Sequence, residues 1–512
     1  MQRWWRRATM TILLLVGLTV CYSLRIVRAA EGPVVVTEAG RVQGSVGDVV
    51  AFKGIPFARP PVGALRWKAP RPPEQWREVR AAVDFAPACM QTGNLQKSED
   101  CLYLNVWAPA SALDRRGARG LPVMMWTFGG SFTNGSGNID GTALARKGVI
   151  VVSFNYRVGT FGFLAHPQLS AESPQRVSGN YGLLDAMAAL RWVHNNIGQF
   201  GGDQNRVTLW GLSSGASVIT ALMVSPVANG LFHQVILESP GAMRHWKSLR
   251  VVEQQGLSVG RDISALRKLP ASEIPLIQNL GGARGIRPLF EPRVIGPTLD
   301  GYVLKDEERE AFEAGRMNVA AALVGNNSDE GASFTSGYQV TTVQAYSEYL
   351  SSPAIFDTFG TEAFSYYPVA IDAEVPRAIS DSFGDSQFYF GARGIARAMT
   401  SKNPKVYRYR FTRKSNGGAG HDAWHGAEMP YVMGNVRDSQ YNNDDQILSN
   451  LMMDAWVQFV STGNPNGGAI TNWPAYDAAT DPYLVLDLRP EVAYGLRNSQ
   501  LDFIGRVQRA TK

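Results

Sequence analysis

The sequence predicts an α/β fold, with one large, mostly parallel central sheet carrying helices on both faces, a small N-terminal β meander and helical insertions. Three observations carry this. From Leu121 on, apolar runs of strand length alternate with segments whose apolar residues recur every three to four positions. The strand runs are hydrophobic throughout rather than alternately, as strands covered on both faces must be. Glycines and polar turn residues close most of these segments.

The elements follow in order. "PVVVTEAGRVQGSVGDVVAFKGIPFA" alternates short β-rich runs with glycine turns and reads as an antiparallel meander. "RPPVGALRWKAPRPPEQW" is Pro-rich irregular chain. "PVMMWTFGG" and "VIVVSFNYRV" are buried strands, and "NYGLLDAMAALRWVHNNIGQFGG" is a helix stopped by paired glycines. "VTLWGLS" is a strand, "ASVITALMVSP" a helix and "QVILES" a strand. Further strands are expected at "AALVGNNS" (321–328), "PKVYRYRF" (404–411) and "YLVLDL" (483–488), with a long helix over 445–461. The helix-rich stretch 340–400 reads as a lid-like insertion.

The first thirty residues form a separate case. Arg3, Arg6 and Arg7 precede an uncharged run from Ala8 to Leu24, and Ala29 and Ala30 follow. That is the layout of a secretory signal peptide over residues 1–29, cleaved after Ala29, with an uncleaved anchor as the alternative. The remaining 30–512 reads as a single catalytic domain of a secreted or periplasmic protein. The whole chain carries +6, but the leader holds five arginines and no acid, which leaves 45 basic against 44 acidic side chains. So balanced a surface gives no electrostatic case for nucleic acid, or for a membrane beyond export. Once Cys21 is removed with the leader, Cys89 and Cys101 remain. In an exported chain such a pair reads as one disulfide closing a small loop.

The pattern G-x-S-x-G occurs twice, around Ser213 in "WGLSSGAS" and around Ser258 in "GLSVG". A nucleophile elbow needs a strand before the serine and a helix after it. Only Ser213 has both; Ser258 has helical sequence on either side. A serine needs a base, and the base an orienting acid, in the order Ser, Asp or Glu, His. Downstream, "VGNNSDEGASF" offers Asp329 and Glu330, and "GGAGHDAWHGAEMPY" offers His421 and His425. The residues alone leave both pairs open. A zinc site on His421, His425 and Glu428 is the rival reading, but the glycine-rich lead-in argues against the helix it needs.

The chain resembles the type-B carboxylesterase family, the α/β-hydrolases that include cholinesterases and bacterial para-nitrobenzyl esterases. "FKGIPFARPPVGALRWKAP", "SEDCLYLNVWAP", "FNYRVGTFGFL", "GNYGLLD", "ALRWVHNNIGQFGGDQNRVTLWG", "NSDEGASF", "HGAEMPYVMG" and "FVSTGNPN" carry the likeness from about residue 33 to 490. The resemblance implies an α/β-hydrolase fold and a serine esterase that needs no metal or cofactor. It implies Ser213 as nucleophile, Glu330 as acid and His425 as base. Gly130, Ser131 and Ser214 would supply oxyanion-hole N–H groups, Ser239 would support the histidine, and Cys89 and Cys101 would form the family's early disulfide. The partner would be a small-molecule ester, acted on by a monomer or small homo-oligomer. "GRDISALRKL", "GPTLDGYVL" and "FGDSQF" are similar to bacterial fumonisin-type esterases, which cleave tricarballylate esters. Such a site wants cations near the pocket, and the sequence does not say whether Arg244, Arg284 or Arg287 stands there. Carbamate or amide hydrolysis would use the same machinery. A non-catalytic, cholinesterase-like binding protein is the rival class; such proteins typically lose a triad residue, and all three are present here.

The chain departs from the family in three places. Leu212 stands for the usual glutamate, Phe128 for His or Tyr, and Ser131 for the third glycine of the loop. Leu212 removes a carboxylate beside the nucleophile and makes the site floor more apolar. Choline esters should therefore show a kcat/KM roughly tenfold below that of a neutral ester of the same acid, the factor that about 1.4 kcal/mol of lost attraction gives. Steady-state kinetics on the matched pair checks this, and undiminished choline-ester turnover would contradict it.

Overall fold

The computed structural model describes residues 32–114, 120–277, 289–403, 405–415, 423–437, 439–468 and 470–510. The leader, residues 1–29, lies outside them, as do His421, Arg284 and Arg287. Among the described residues, ten strands form one sheet. In chain order they are β1 (Val49–Pro56), β2 (Tyr103–Pro109), β3 (Leu121–Thr127), β4 (Ile150–Phe154), β5 (Gly202–Leu212), β6 (Gln234–Glu238), β7 (Ala321–Asn327), β8 (Val406–Phe411), β9 (Pro482–Leu486) and β10 (Glu491–Tyr494). Across the sheet the order is β10-β9-β8-β7-β6-β5-β3-β4-β2-β1. The strands from β4 to β9 run parallel, while β1, β2 and β10 pair antiparallel at the margins.

Their composition explains the layout. Every residue of β4 and of β7 is buried, which suits strands covered on both faces. The covering helices are α1 (Tyr181–Asn196), α2 (Ser214–Val224), α3 (Glu308–Glu313), α4 (Val375–Gly384), α5 (Phe390–Thr400), α6 (Asn443–Thr462) and α7 (Asn498–Ala510). Helix α6 starts in a capping box between Asn442 and Asp445 and stops at Gly463, whose φ of 75° is the left-handed cap.

Two expectations change. The N-terminal β region is not a simple meander. Val34–Val36 and Arg41–Gln43 pair antiparallel, but the third strand of that small sheet is Arg80–Ala81, parallel to the second. The run expected to complete it, β1, joins the large sheet beside β2 instead. Phe52 and Ile55 are fully buried there, with Phe52 edge-on to Phe200 at 4.9 Å. The stretch 340–400 is helical, but its last helix, α5, is not a lid. It packs on β7 and β8 and buries Ala392, Ile395, Ala396 and Met399.

Cys89 and Cys101 are disulfide-bonded, 12 residues apart in sequence, with both side chains buried. Closing a loop of this size stabilises by about 3 kcal/mol on the chain-entropy account. The paired replacement Cys89→Ser/Cys101→Ser should lower unfolding stability by about that much, as read by denaturant titration. A loss of only a few tenths of a kcal/mol would contradict this account of the loop.

Candidate active site

Ser213 stands between the end of β5 and the start of α2, with φ 60° and ψ −125°. A non-glycine residue in such a conformation is strained by on the order of 1–3 kcal/mol and persists only where its surroundings hold it. Its N–H donates to Glu238 O at 2.8 Å, and its own carbonyl accepts from Ser217 N at 3.0 Å. The turn is as tight as the G-x-S-x-G pattern implies. A Cβ on Gly215 would lie 2.1 Å from Thr127 O, and one on Gly129 would lie 2.6 Å from Leu212 O and 3.0 Å from Ser213 Cβ. Ser258, the other match, is exposed after a helix and donates to Gln255 O at 2.7 Å.

The loop after β3 lies over this turn. Gly130, Ser131 and Phe132 have φ of 125°, 55° and 63° in succession. Gly130 O accepts from Thr133 N at 3.0 Å and from Asn134 N at 3.2 Å, which curls the loop. Ser131 thus takes a left-handed conformation that a glycine would enter more easily. Ser214 is buried, and its Oγ accepts from Phe132 N at 3.2 Å, tying the loop to the first turn of α2. Phe128 stacks on Tyr156 with centroids 4.3 Å apart, and Tyr156 donates to Phe128 O at 2.8 Å. These contacts account for an aromatic residue at 128.

Glu330 follows β7 and is buried. Its Oε1 accepts from Ser239 Oγ at 2.6 Å, Asn327 N at 2.8 Å and Asn326 Nδ2 at 3.1 Å. Its Oε2 lies 2.6 Å from His425 Nδ1. The structure therefore separates the acids that the residues alone left open. The Asp329 carboxylate turns the other way and accepts from Ser380 Oγ. The Asp329 backbone N–H donates to Ala423 O at 2.8 Å, which brings the 423–428 loop to the end of β7. Ser239, expected to support the histidine, does so at one remove: its hydroxyl donates to Glu330, which in turn meets His425.

The His425 ring lies between two phenylalanines, stacked on Phe388 at 4.3 Å and edge-on to Phe334 at 5.1 Å. Its Nε2 is buried and accepts no hydrogen bond from a described protein group. Leu212 is half-buried, and its Cδ2 comes within 3.2 Å of where a Cβ on Gly426 would stand. An apolar side chain thus packs on the residue that follows the histidine, at the position where the family carries a glutamate. Asn326, Asn327, Phe334 and Phe388 were not singled out from the sequence. The asparagines stand beside Glu330 in "VGNNSDE" and were legible as donors; Phe388 lies in a π-turn before α5, and nothing in its local sequence points to the site.

Beside the elbow lies a second group. Arg244, Lys247 and Arg293 line a small pocket with Phe132, Ser217 and the buried carboxylate Glu308. Arg293 lies 5.1 Å from the Phe132 ring centroid. Of the arginines named from the sequence, Arg244 is in this pocket.

The sequence profile of the carboxylesterase family matches residues 31–504. The chain belongs to the carboxylesterase family. As its class it is a carboxylic ester hydrolase with an α/β-hydrolase fold. It is 45% identical over 464 residues to fumonisin B1 esterase of Sphingopyxis macrogoltabida, covering 86% of this chain and 84% of that one. It is 34% identical over 488 residues to para-nitrobenzyl esterase of Bacillus subtilis (strain 168), covering 89% of this chain and 94% of that one. A solved PNB esterase structure superposes with a TM-score of 0.80 at 32% identity, over 92% of this chain and 99% of the other.

Two further carboxyls are buried in this carboxylesterase near the triad positions. Glu238 accepts from Trp456 Nε1 at 2.9 Å, and Glu428 from Asn327 Nδ2 at 2.6 Å. Burial pushes Glu238 up to about 8. Burial also raises Glu428 well above the carboxylate range, with the charges of Glu238 and Glu330 adding to the effect. Glu238 therefore holds its proton more tightly folded than unfolded. The stability this contributes is complete below the ordinary value of 4.5 and is lost as the pH rises through about 8. Glu238→Gln keeps the acceptor for Trp456 and cannot ionise. It should match the parent's melting temperature at acid pH and exceed it above the Glu238 value. Calorimetric melting across that range reads the difference, and parallel curves would contradict it.

Proposed function

We propose that this carboxylesterase hydrolyses esters through an acyl-enzyme on Ser213, with His425 as general base and acid and Glu330 as its orienting carboxylate. The 2.6 Å contact between His425 Nδ1 and a buried, fully donor-held Glu330 carries the reading. Ser213 Oγ attacks the ester carbonyl and passes its proton to Nε2. Backbone N–H groups of Gly130, Ser131 and Ser214 receive the developing oxyanion. The imidazolium, stabilised by Glu330, returns the proton to the leaving alcohol. Water then repeats the sequence and releases the acid. Ser239, Asn326 and Asn327 act through Glu330. We also propose that residues 1–29 are a cleaved export leader and that 30–512 form one secreted or periplasmic catalytic domain. The disulfide supports export.

One observation favours a narrower substrate class. Arg293, Arg244 and Lys247 lie in the pocket with Ser217, one helical turn beyond Ser213. The relative named fumonisin B1 esterase supports an acyl group that keeps free carboxylates, such as tricarballylate, and these cations, partly met by the buried Glu308, would favour such a group by their charge rather than by enclosing it.

The test is one ester panel. p-Nitrophenyl esters of short and medium chain should be turned over, and Ser213→Ala should lose roughly 10⁵–10⁶ in kcat. Within the panel, hemiesters with a free carboxylate on the acyl side should exceed their neutral analogues in kcat/KM, and Arg293→Gln should remove that preference. Equal turnover by Ser213→Ala would overturn the catalytic assignment. A preference for neutral acyl groups would overturn the substrate class alone.

A further inference from the structure

A cleft of about 650 Å³ lies among residues of α3, α5 and α7, and its lining shares no residue with the Ser213, Glu330 and His425 site. Arg309, Arg393, Arg397, Arg506 and Arg509 line it, against Glu313 and Asp502. Arg506 also pairs with Glu362 outside the lining, so five cations are met by three carboxylates in a chain whose charges otherwise nearly balance once the leader is set aside.

The pairing is uneven. Arg393 is only 5% exposed and lies 2.6 Å from Asp502 Oδ1, while Arg397 lies 3.9 Å from the same oxygen. One carboxylate that is itself 59% exposed therefore serves two guanidinium groups. Arg309 lies 3.4 Å from Glu313 and 5.2 Å from the Phe390 ring centroid. Burial, then the nearby Arg397 charge, holds Arg393 below the usual guanidinium value, and burial and Arg509 act on Arg309 in the same direction.

The floor is of different chemistry. Phe390 and Leu501 form it together with Gly394 and Gly505. A Cβ on Gly505 would come 3.2 Å from the Phe390 ring, so glycine there lets α7 lie close on α5. Apolar side chains and guanidinium forks lining one cleft match one kind of ligand. Forks pair two-to-two with carboxylate or phosphate oxygens, and the floor takes a hydrocarbon body.

We propose that this cleft binds a small multivalent oxyanion carried on an apolar body. The test is calorimetric titration of the full chain with naphthalene-1,3,6-trisulfonate, which has both features, and with pyrophosphate and citrate as phosphate and carboxylate arms. The trisulfonate should bind saturably, one per chain, and more weakly as salt is raised. Whichever of pyrophosphate and citrate binds more tightly names the anionic group the rim prefers. In Arg397→Gln/Arg509→Gln the affinity should fall at least roughly tenfold. Ester turnover should stay unchanged, which also shows that the variant is folded. Arg244→Gln, in the other cationic pocket, should leave binding as it was. Undiminished binding in the double variant, loss of binding in Arg244→Gln, or no saturable heat from any probe at millimolar concentration would each overturn the proposal. None of these outcomes depends on ester hydrolysis, so the catalytic reading stands or falls apart from them.

Discussion

A carboxylate with no exposed surface is a costly object, and the site is organised around one. Glu330 is buried, so its charge has to be met by donors and by a cation-forming partner. Three donors from the ends of β6 and β7 meet Oε1, and the imidazole meets Oε2. Satisfying this one group fixes much else. It sets the left-handed turn at Ser239, whose φ is 50°. It needs the 423–428 loop held against β7, which the Asp329 backbone achieves. It also leaves the imidazole faces to be closed by Phe388 and Phe334.

The parallel sheet makes that arrangement possible. Strands β5, β6 and β7 are neighbours in register, with Leu212 opposite Glu238 and Glu238 opposite Gly325. Parallel strands end on the same edge, so residues distant in sequence, Ser213, Ser239 and Glu330, leave the sheet side by side. The strain at Ser213 is held there by Glu238 O and by the glycines beneath and above the turn. A rigid, mostly buried scaffold bears the unfavourable conformation at the nucleophile.

The strands and helices that build this scaffold were legible because their hydrophobic periods are long and unbroken. "VIVVSF" and "AALVGNN" read as doubly covered strands, and the elbow declared itself by the change from a continuous apolar run to a helical period at Ser213. What failed was long-range. β1 has the same local pattern whether it pairs with its hairpin neighbour or with β2, and only the demand for cover on Phe52 and Ile55 decides. The role of α5 against the sheet depends on which side of a helix-rich stretch is packed, and that information lies in β7 and β8. Asp329 and Glu330 are adjacent and chemically alike. Periodicity does not separate them, whereas the resemblance to the family did, and the hydrogen bonds give the physical reason. Motif likeness likewise gave Ser239 as a support of the histidine, and the hydrogen bonds show the route, through Glu330.

The Ser214 hydroxyl, bonded to Phe132 N, has a wider consequence. It fastens the loop over the nucleophile to the helix behind it by a contact that involves neither Leu212 nor Phe128. The polar fastening and the half-buried side chain before the nucleophile, Leu212, are therefore separate parts. A lineage can exchange the residue at 212, and with it the range of molecules admitted, while the loop stays in register. Divergence of appetite on a constant reaction is the kind of evolution such a construction permits.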